Sequence, residues 1–475
     1  MLLAGVYAAR VHETGSTGNL ASAPWGRWTA ATFLWLLATA GPVLWVRTRW
    51  SLDGDIAEDP FYLVLFLGAG LVCLVTVARD RSRLEAIRMD PERRRIAALT
   101  LALTTLLTLS TLWSLDPALT FTHGLRFVGT IAVALVLATF LTSLEQMTTL
   151  WVAVHIGSAW SFVQIFRLAE GSQDDRENWV GIFVNRNLLG LICGVGLTVG
   201  LLLAVHVRRT WVGRERIAAL VVLAGAALVD LRLLWGSGSA TPVGVLVLSS
   251  FVVGLVVAAR RWAPQRWTTS DRVITGAAVV LSGLVVLSAL LVPAVAGVFG
   301  RGGDLSRRVP LWDFVQDKIA DRPLWGWGYL GGWEDRQFLR DMREFVRGKD
   351  LVSAHNSTLE VMLGAGVVAL AVFVALLVLV TRSCLRTALT RGGGVVSLWP
   401  LVALLWFLFE SVTETFLVAD SLPTVLLFVA AFHAAPHRTG PESATEPAHD
   451  LGASDGGVPI EAAAFADQPG RPDGE

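Results

Sequence analysis

The chain has 475 residues, 53% of them hydrophobic and 16% charged, with 39 basic side chains balanced by 39 acidic ones. Soluble proteins carry about 25% charged residues, so this composition, with a mean hydropathy of +0.57, excludes a soluble enzyme and a disordered scaffold. The zero balance of charge leaves no electrostatic footprint for nucleic acid.

A helix needs about 20 apolar residues to cross a bilayer. Such runs fall near 29–46, 60–78, 96–113, 122–142, 149–167, 187–207, 217–235, 242–259, 273–297, 356–381, 397–417 and 420–434. They predict an all-α polytopic membrane protein with about 12 transmembrane helices. The opening "MLLAGVYAAR" is too short for the apolar part of a signal peptide, so the first run is expected to serve as its own insertion signal.

Arginines set the expected orientation, because basic loops stay in the cytoplasm. Arg79, Arg81, Arg83, Arg88, Arg93, Arg94 and Arg95 follow the second run. Arg208, Arg209, Arg214 and Arg216 follow the sixth, Arg260, Arg261, Arg266 and Arg272 the eighth, and Arg382, Arg386 and Arg391 the tenth. All these loops fall on one side, which places both termini in the cytoplasm. The expected organisation is a cytoplasmic segment 1–28, a membrane domain 29–434 and a disordered cytoplasmic tail 435–475, rich in Pro, Gly, Ala, Asp and Glu.

The opposite side carries the loop 168–186, the short turn "WGSGSAT" at 235–241 and a large extracytoplasmic loop, 298–355. In that loop Leu311, Trp312, Phe314, Val315 and Ile319 follow Pro310 at helical spacing, proline suiting a first turn. Phe338, Leu339, Met342, Phe345 and Val346 share a second helical face that ends at Gly348, a C-cap. Two short amphipathic helices are therefore expected on the membrane surface. Between them "PLWGWGYLGGW" suits the interface or a sugar ring, and Gly326, Gly328, Gly331 and Gly332 mark 326–332 as a hinge.

Chemistry on that side has no access to cytosolic nucleotides, and no phosphate-cradling glycine loop is present. Its substrates are expected to be lipid-linked or extracellular. A lipid pyrophosphate needs fixed cations, preferably arginine with its forked donors. Arg307 and Arg308 stand just before the first loop helix and Arg186 at the mouth of the sixth run; the alternative is that they snorkel to head groups. His355 lies where the large loop re-enters the membrane, followed by Asn356 and Glu360; imidazole suits proton transfer near neutral pH. The alternative is a helix-capping cluster. Glu410 and Glu414, one turn apart, and Asp230 with Arg232 are costly in a membrane and suggest a cavity, an ion pair or a proton path. His155 and His206 read as tolerated polar residues near span ends. Cys73, Cys193 and Cys384 have no C-x-x-C spacing, so neither a disulfide framework nor a zinc site is expected.

Four segments in order resemble the O-antigen ligase and polysaccharide polymerase superfamily. They are "LSTLWSLDP" at 109–117, "GIFVNRNLLG" at 181–190, "RVPLWDFVQDKIADRPLWGWGYLGGW" at 308–333 and "AHNSTLEVMLGAGVVAL" at 354–370. The resemblance implies a glycosyltransferase of the bacterial cytoplasmic membrane that moves a glycan from undecaprenyl pyrophosphate to a glycan or lipid acceptor. Carried over by position, it implies His355 and Arg308 as catalytic residues and Arg186 as a substrate-binding one; Asn187, Arg307, Trp312, Asn356 and Glu360 are expected to bind substrate beside them. Partner proteins of polysaccharide assembly fall within the same expectation. No metal-binding cluster of His, Asp and Glu is visible in the sequence, so no metal or cofactor is expected. The ligases often carry Ser-Arg-Gly at the short outer turn, whereas this chain has "SGSAT" at 237–241, closer to the exopolysaccharide-polymerase branch. The competing function is a transporter or flippase of lipid-linked glycan. Such proteins keep their working residues at the midplane and are often built from repeats, and no internal repeat is visible here.

Overall fold

The computed structural model describes residues 24–39, 60–167, 172–174, 177–183, 185–287, 304–346, 353–415, 417 and 421–433. The chain divides into Met1–Ala435 and Pro436–Glu475. The second unit, the expected disordered tail, lies outside the described residues, as does Gly348.

Helices stand over the described part of each predicted apolar run, with 40–46 and 288–297 outside the described residues, and no strand forms among the described residues. In chain order they are α1 (Pro24–Thr39), α2 (Pro60–Arg79), α3 (Arg81–Met89), α4 (Pro91–Leu109), α5 (Pro117–Phe140), α6 (Ser143–Phe166), α7 (Arg186–Thr210), α8 (Gly213–Ser237), α9 (Ala240–Trp262) and α10 (Asp271–Val286). After these come α11 (Asp304–Asp321), α12 (Arg336–Val346), α13 (Ser357–Leu389), α14 (Trp399–Glu410) and α15 (Leu422–Phe432). Their starts are written in the sequence. Asp90 before Pro91 and Asp116 before Pro117 accept from the first free N–H groups of α4 and α5. Thr142 and Glu145 close a reciprocal capping box on α6. Asn185 caps α7 and Asn356 caps α13.

Among the described residues seven helices are long and apolar enough to cross a membrane, and shorter apolar helices cover Val64–Arg79, Val395–Glu410 and Leu422–Phe432. The short pair α14 and α15 is the centre of the bundle. Nearly all their side chains are buried, against α5, α9 and α13. By contrast α8 and α9 leave Val221, Leu228, Val247 and Phe251 exposed, as a lipid-facing surface requires. At the arginine-rich end, Arg382 and Arg386 of α13 pair with Glu92 of α4 and Asp271 of α10. The other end of α4 meets the large loop, where Ser110 Oγ accepts from the Tyr329 N–H at 2.9 Å and the Trp113 indole donates to the Trp325 carbonyl at 2.7 Å.

Helix α13 has 33 residues, about 50 Å at 1.5 Å per residue, against a hydrocarbon core of roughly 30 Å. It does not run straight: Gly366 sits at φ 74°, ψ −173°. Such a break frees backbone groups that hydrocarbon cannot satisfy. The segment Pro323–Gly328 supplies the partners. Trp327 N–H and Gly328 N–H donate to the Leu363 and Gly364 carbonyls at 2.8 and 2.9 Å, and Val367 N–H donates to the Pro323 carbonyl at 2.8 Å.

Several expectations for the large loop are corrected. Helix α11 begins at Asp304 and runs through Pro310, so Arg307 and Arg308 lie inside it rather than before it. The apolar faces of α11 and α12 do not lie on lipid. Leu311, Trp312, Phe314, Val315, Phe338 and Met342 are buried in the protein, because the two helices pack on each other and α11 also packs on α13. Gly326 and Gly328 serve close approach rather than a hinge. Both have positive φ, and a Cβ on either would collide with α13 backbone or with Ser114. His155 is not at a span end but midway along α6, where its Nε2 meets the Asp230 carboxylate of α8 at 2.9 Å. Arg232 stacks on Trp179 at 3.9 Å.

Gly366→Ala tests the break. Its φ and ψ belong to a region that costs other residues about 1–3 kcal/mol, and the added Cβ would also meet the Leu324 backbone. The melting temperature in detergent should fall by several degrees. Val368→Ala, at an exposed position two residues further along the same helix, is the control and should leave it nearly unchanged.

Candidate functional site

Burial of a carboxylate demands donors, and Glu414 organises the site by recruiting them. Helix α14 ends at Glu410, so Glu414 stands in the turn beyond it rather than within the membrane run expected to reach 417. The turn is held because its carbonyls are used: Ser411 accepts from the Ser357 N–H at 3.1 Å, and Val412 from Asn356 Nδ2 at 3.0 Å. Glu414 Oε1 accepts from Arg308 Nη2 at 2.7 Å and from Asn187 Nδ2 at 2.8 Å, while Oε2 meets His355 Nδ1 at 2.7 Å. Asn187 is in turn oriented by Ser239, whose hydroxyl donates to its Oδ1 at 2.7 Å. The short outer turn thus enters the site through a serine.

His355 adopts φ 47°, a left-handed conformation that a non-glycine residue holds only when its surroundings impose it. They do. On one side the Ala354 N–H donates to Glu360 Oε2 at 2.8 Å and the Ala354 carbonyl accepts from the Trp312 indole at 2.8 Å. On the other, the Asn356 N–H donates to Thr415 Oγ1 at 3.2 Å. Glu360 Oε1 accepts from the Trp333 indole at 2.6 Å, and Tyr329 Oη donates to the Leu417 carbonyl at 3.0 Å, so the glycine and tryptophan-rich segment braces the same turn.

A carboxylate only accepts, so the His355 Nδ1 atom facing it carries the proton, and in the neutral form of the imidazole Nε2 presents its lone pair. The imidazole side chain is 28% exposed, against 16% for Arg308 and 12% for Glu414. Among the described residues Arg308 uses one nitrogen on Glu414, which leaves the rest of its fork for a ligand. Burial pushes the Glu414 carboxyl up, but the hydrogen bond and charge of His355, the Arg308 guanidinium and Asn187 outweigh it and hold the group below its ordinary value.

The sequence-derived candidates separate into two sets. His355, Arg308 and Asn187 converge on one carboxylate, and Arg186 adjoins them as the half-buried first residue of α7. Arg307 precedes Arg308 in α11. Trp312, Asn356 and Glu360 are buried with their polar atoms engaged by the protein, so in this conformation they hold the His355 turn and present nothing to a ligand. Glu414, whose sequence signal is that of an acid one turn after Glu410 suggesting a cavity, an ion pair or a proton path, is the carboxylate on which they converge. Among the described residues no group of three His, Cys, Asp or Glu side chains is placed to hold a metal.

The fold and site define a polytopic membrane protein with a buried polar centre under an elaborate loop. The family model described as O-antigen ligase matches residues 226–374. The match takes in the last two of the four motif segments and supports their resemblance to the O-antigen ligase and polysaccharide polymerase superfamily over that part of the chain. The match takes in Arg308 and His355 but stops short of Glu414 and begins after Asn187. No curated protein matches the chain at a significant level.

The depressed Glu414 carboxyl gives a pH prediction. A carboxyl lowered on folding contributes stability that is present above its unfolded value of about 4.3 and is lost as pH falls through the folded one. Thermal unfolding of the wild type and of Glu414→Gln should differ most near neutrality and converge only as pH falls below the unfolded value of about 4.3.

Proposed function

We propose that this protein transfers a glycan from undecaprenyl pyrophosphate to the hydroxyl of an acceptor sugar, on the outer face of the bacterial cytoplasmic membrane. Both termini are then cytoplasmic, following the arginine loops. The observation that carries the reading is the convergence of His355, Arg308 and Asn187 on Glu414 in a site whose imidazole Nε2 stays accessible.

In the proposed step the acceptor hydroxyl gives its proton to His355 Nε2 as its oxygen bonds to the anomeric carbon. The bond from that carbon to the pyrophosphate oxygen breaks, and the lipid pyrophosphate departs with the electron pair. Glu414 keeps the imidazole in the productive tautomer and stabilises the imidazolium that forms, as a carboxylate does behind a catalytic histidine. The free edge of Arg308, with Arg186 at the helix mouth, meets the growing negative charge of the leaving group. A single displacement of this kind inverts the anomeric configuration. Trp312, Asn356 and Glu360 act as positioning residues for the His355 turn. The short outer turn, "SGSAT" without arginine where ligases often carry Ser-Arg-Gly, favours polymerisation over ligation.

His355→Ala should abolish transfer by purified protein given lipid-linked glycan, with expression and membrane insertion intact. Arg308→Lys keeps the charge but loses the fork; it should slow turnover roughly a hundredfold and weaken donor use more than acceptor use. Arg340→Ala, on the exposed face of α12, should behave as wild type. Wild-type product from His355→Ala, or a retained anomeric configuration by NMR, contradicts the mechanism.

A further inference from the structure

We propose that the groove walled by Trp113 and Trp325 binds an anionic phospholipid, its phosphate against Arg322 and an acyl chain along the two indoles. The groove encloses about 510 Å³ and is lined by Trp113, Arg322, Pro323, Leu324, Trp325 and Gly326. That is within the range of roughly 300–1,000 Å³ for small-ligand sites. It lies on the α4 and α13 side of the molecule, where the loop plugs the helix break, and none of its residues belongs to the Glu414 cluster.

Two independent lengths put it at the membrane boundary. Counted from the arginines at its start, the 19 residues of α4 rise about 28 Å, which brings Trp113 to the far edge of the hydrocarbon. The part of α13 beyond Gly366 rises about 34 Å to Leu389, which brings the attached Pro323–Trp325 segment to the same edge. Tryptophans are at home at that depth. The lining is not merely tolerated there. Leu324 and Trp325 are 55% and 54% exposed, and Leu112 beside Trp113 is 80% exposed, apolar side chains suited to contact with lipid. Trp113 and Trp325 meet edge-on with centroids 5.7 Å apart, and the hydrogen bond to the Trp325 carbonyl fixes that wall.

Arg322 decides which lipid. Its guanidinium is exposed at the rim and stacked on Trp327 at 4.0 Å, and no carboxylate among the described residues pairs with it, Asp321 included. An acyl chain alone would satisfy the apolar wall. A held, unneutralised guanidinium beside it selects a headgroup with net negative charge over a zwitterionic one, whose ammonium would face the same cation.

The full chain in nanodiscs of phosphatidylcholine with about one fifth phosphatidylglycerol tests this, bromine being carried at equal density on the chains of one lipid or the other. The signal is the quenched fluorescence that disappears in Trp325→Phe. Brominated phosphatidylglycerol should quench it about fivefold more effectively than brominated phosphatidylcholine, the preference one surface arginine confers. Arg322→Gln should bring the ratio to one, and Arg340→Gln should leave it unchanged. Native mass spectrometry of the detergent-purified chain provides a second readout that does not need the Phe variant: wild type should retain phosphatidylglycerol and Arg322→Gln should not. Equal quenching in the wild type, or a preference that survives Arg322→Gln, overturns the proposal.

Discussion

A carboxylate withdrawn from water is the constraint around which the site is built. Glu414 lies just past the end of α14, a helix that is apolar almost throughout, and charge placed there must be met by donors or neutralised. The donors come from three separate stretches of chain: Asn187 from α7, Arg308 from α11 and His355 from the turn before α13. None of these elements would be fixed to the others by apolar packing alone, which is indifferent to small rotations. The carboxylate supplies the directional term. It sets the facing nitrogen of the imidazole and ties down one edge of the guanidinium, so both side chains acquire their orientation from the carboxylate.

A second constraint, the intolerance of hydrocarbon for unpaired backbone groups, places the large loop. The break at Gly366 exposes carbonyls on one side and an N–H on the other, and Pro323–Gly328 pairs with both. Docked there, the segment carries Tyr329 to the Leu417 carbonyl and Trp333 to Glu360, and Glu360 in turn holds the Ala354 N–H next to His355. The strained φ of His355 is thus sustained by a chain of contacts that begins at the helix break. The glycines that looked like a hinge are what allow the loop backbone to lie against the helix.

Hydropathy made the helices legible, and local capping residues such as Asp90, Asp116, Asn185 and Asn356 made their starts legible, because both are short-range signals. His355, Arg308 and Arg186 were found from residue type, position at the membrane edge and family resemblance. What sequence could not show was partnership. Asn187 and Glu414 are 227 residues apart, Arg308 and Glu414 106, and His355 and Glu414 59, and no periodicity connects positions so distant. Burial was equally hidden. Trp312 and Glu360 have the chemistry of ligand-binding residues, and only their three-dimensional surroundings show that their polar atoms are spent inside the protein. Pro310 misled for a local reason: proline usually opens a helix, and here tertiary packing carries α11 through it.

The central claim is that His355 and Glu414 function as one unit. A double-mutant cycle on His355→Gln and Glu414→Gln, read as the rate of glycan transfer, measures it directly. Residues that act together lose most of their effect at the first substitution, so the double variant should be little slower than His355→Gln alone. Fully additive losses, with each substitution costing the same in the presence or absence of the other, would contradict the coupling.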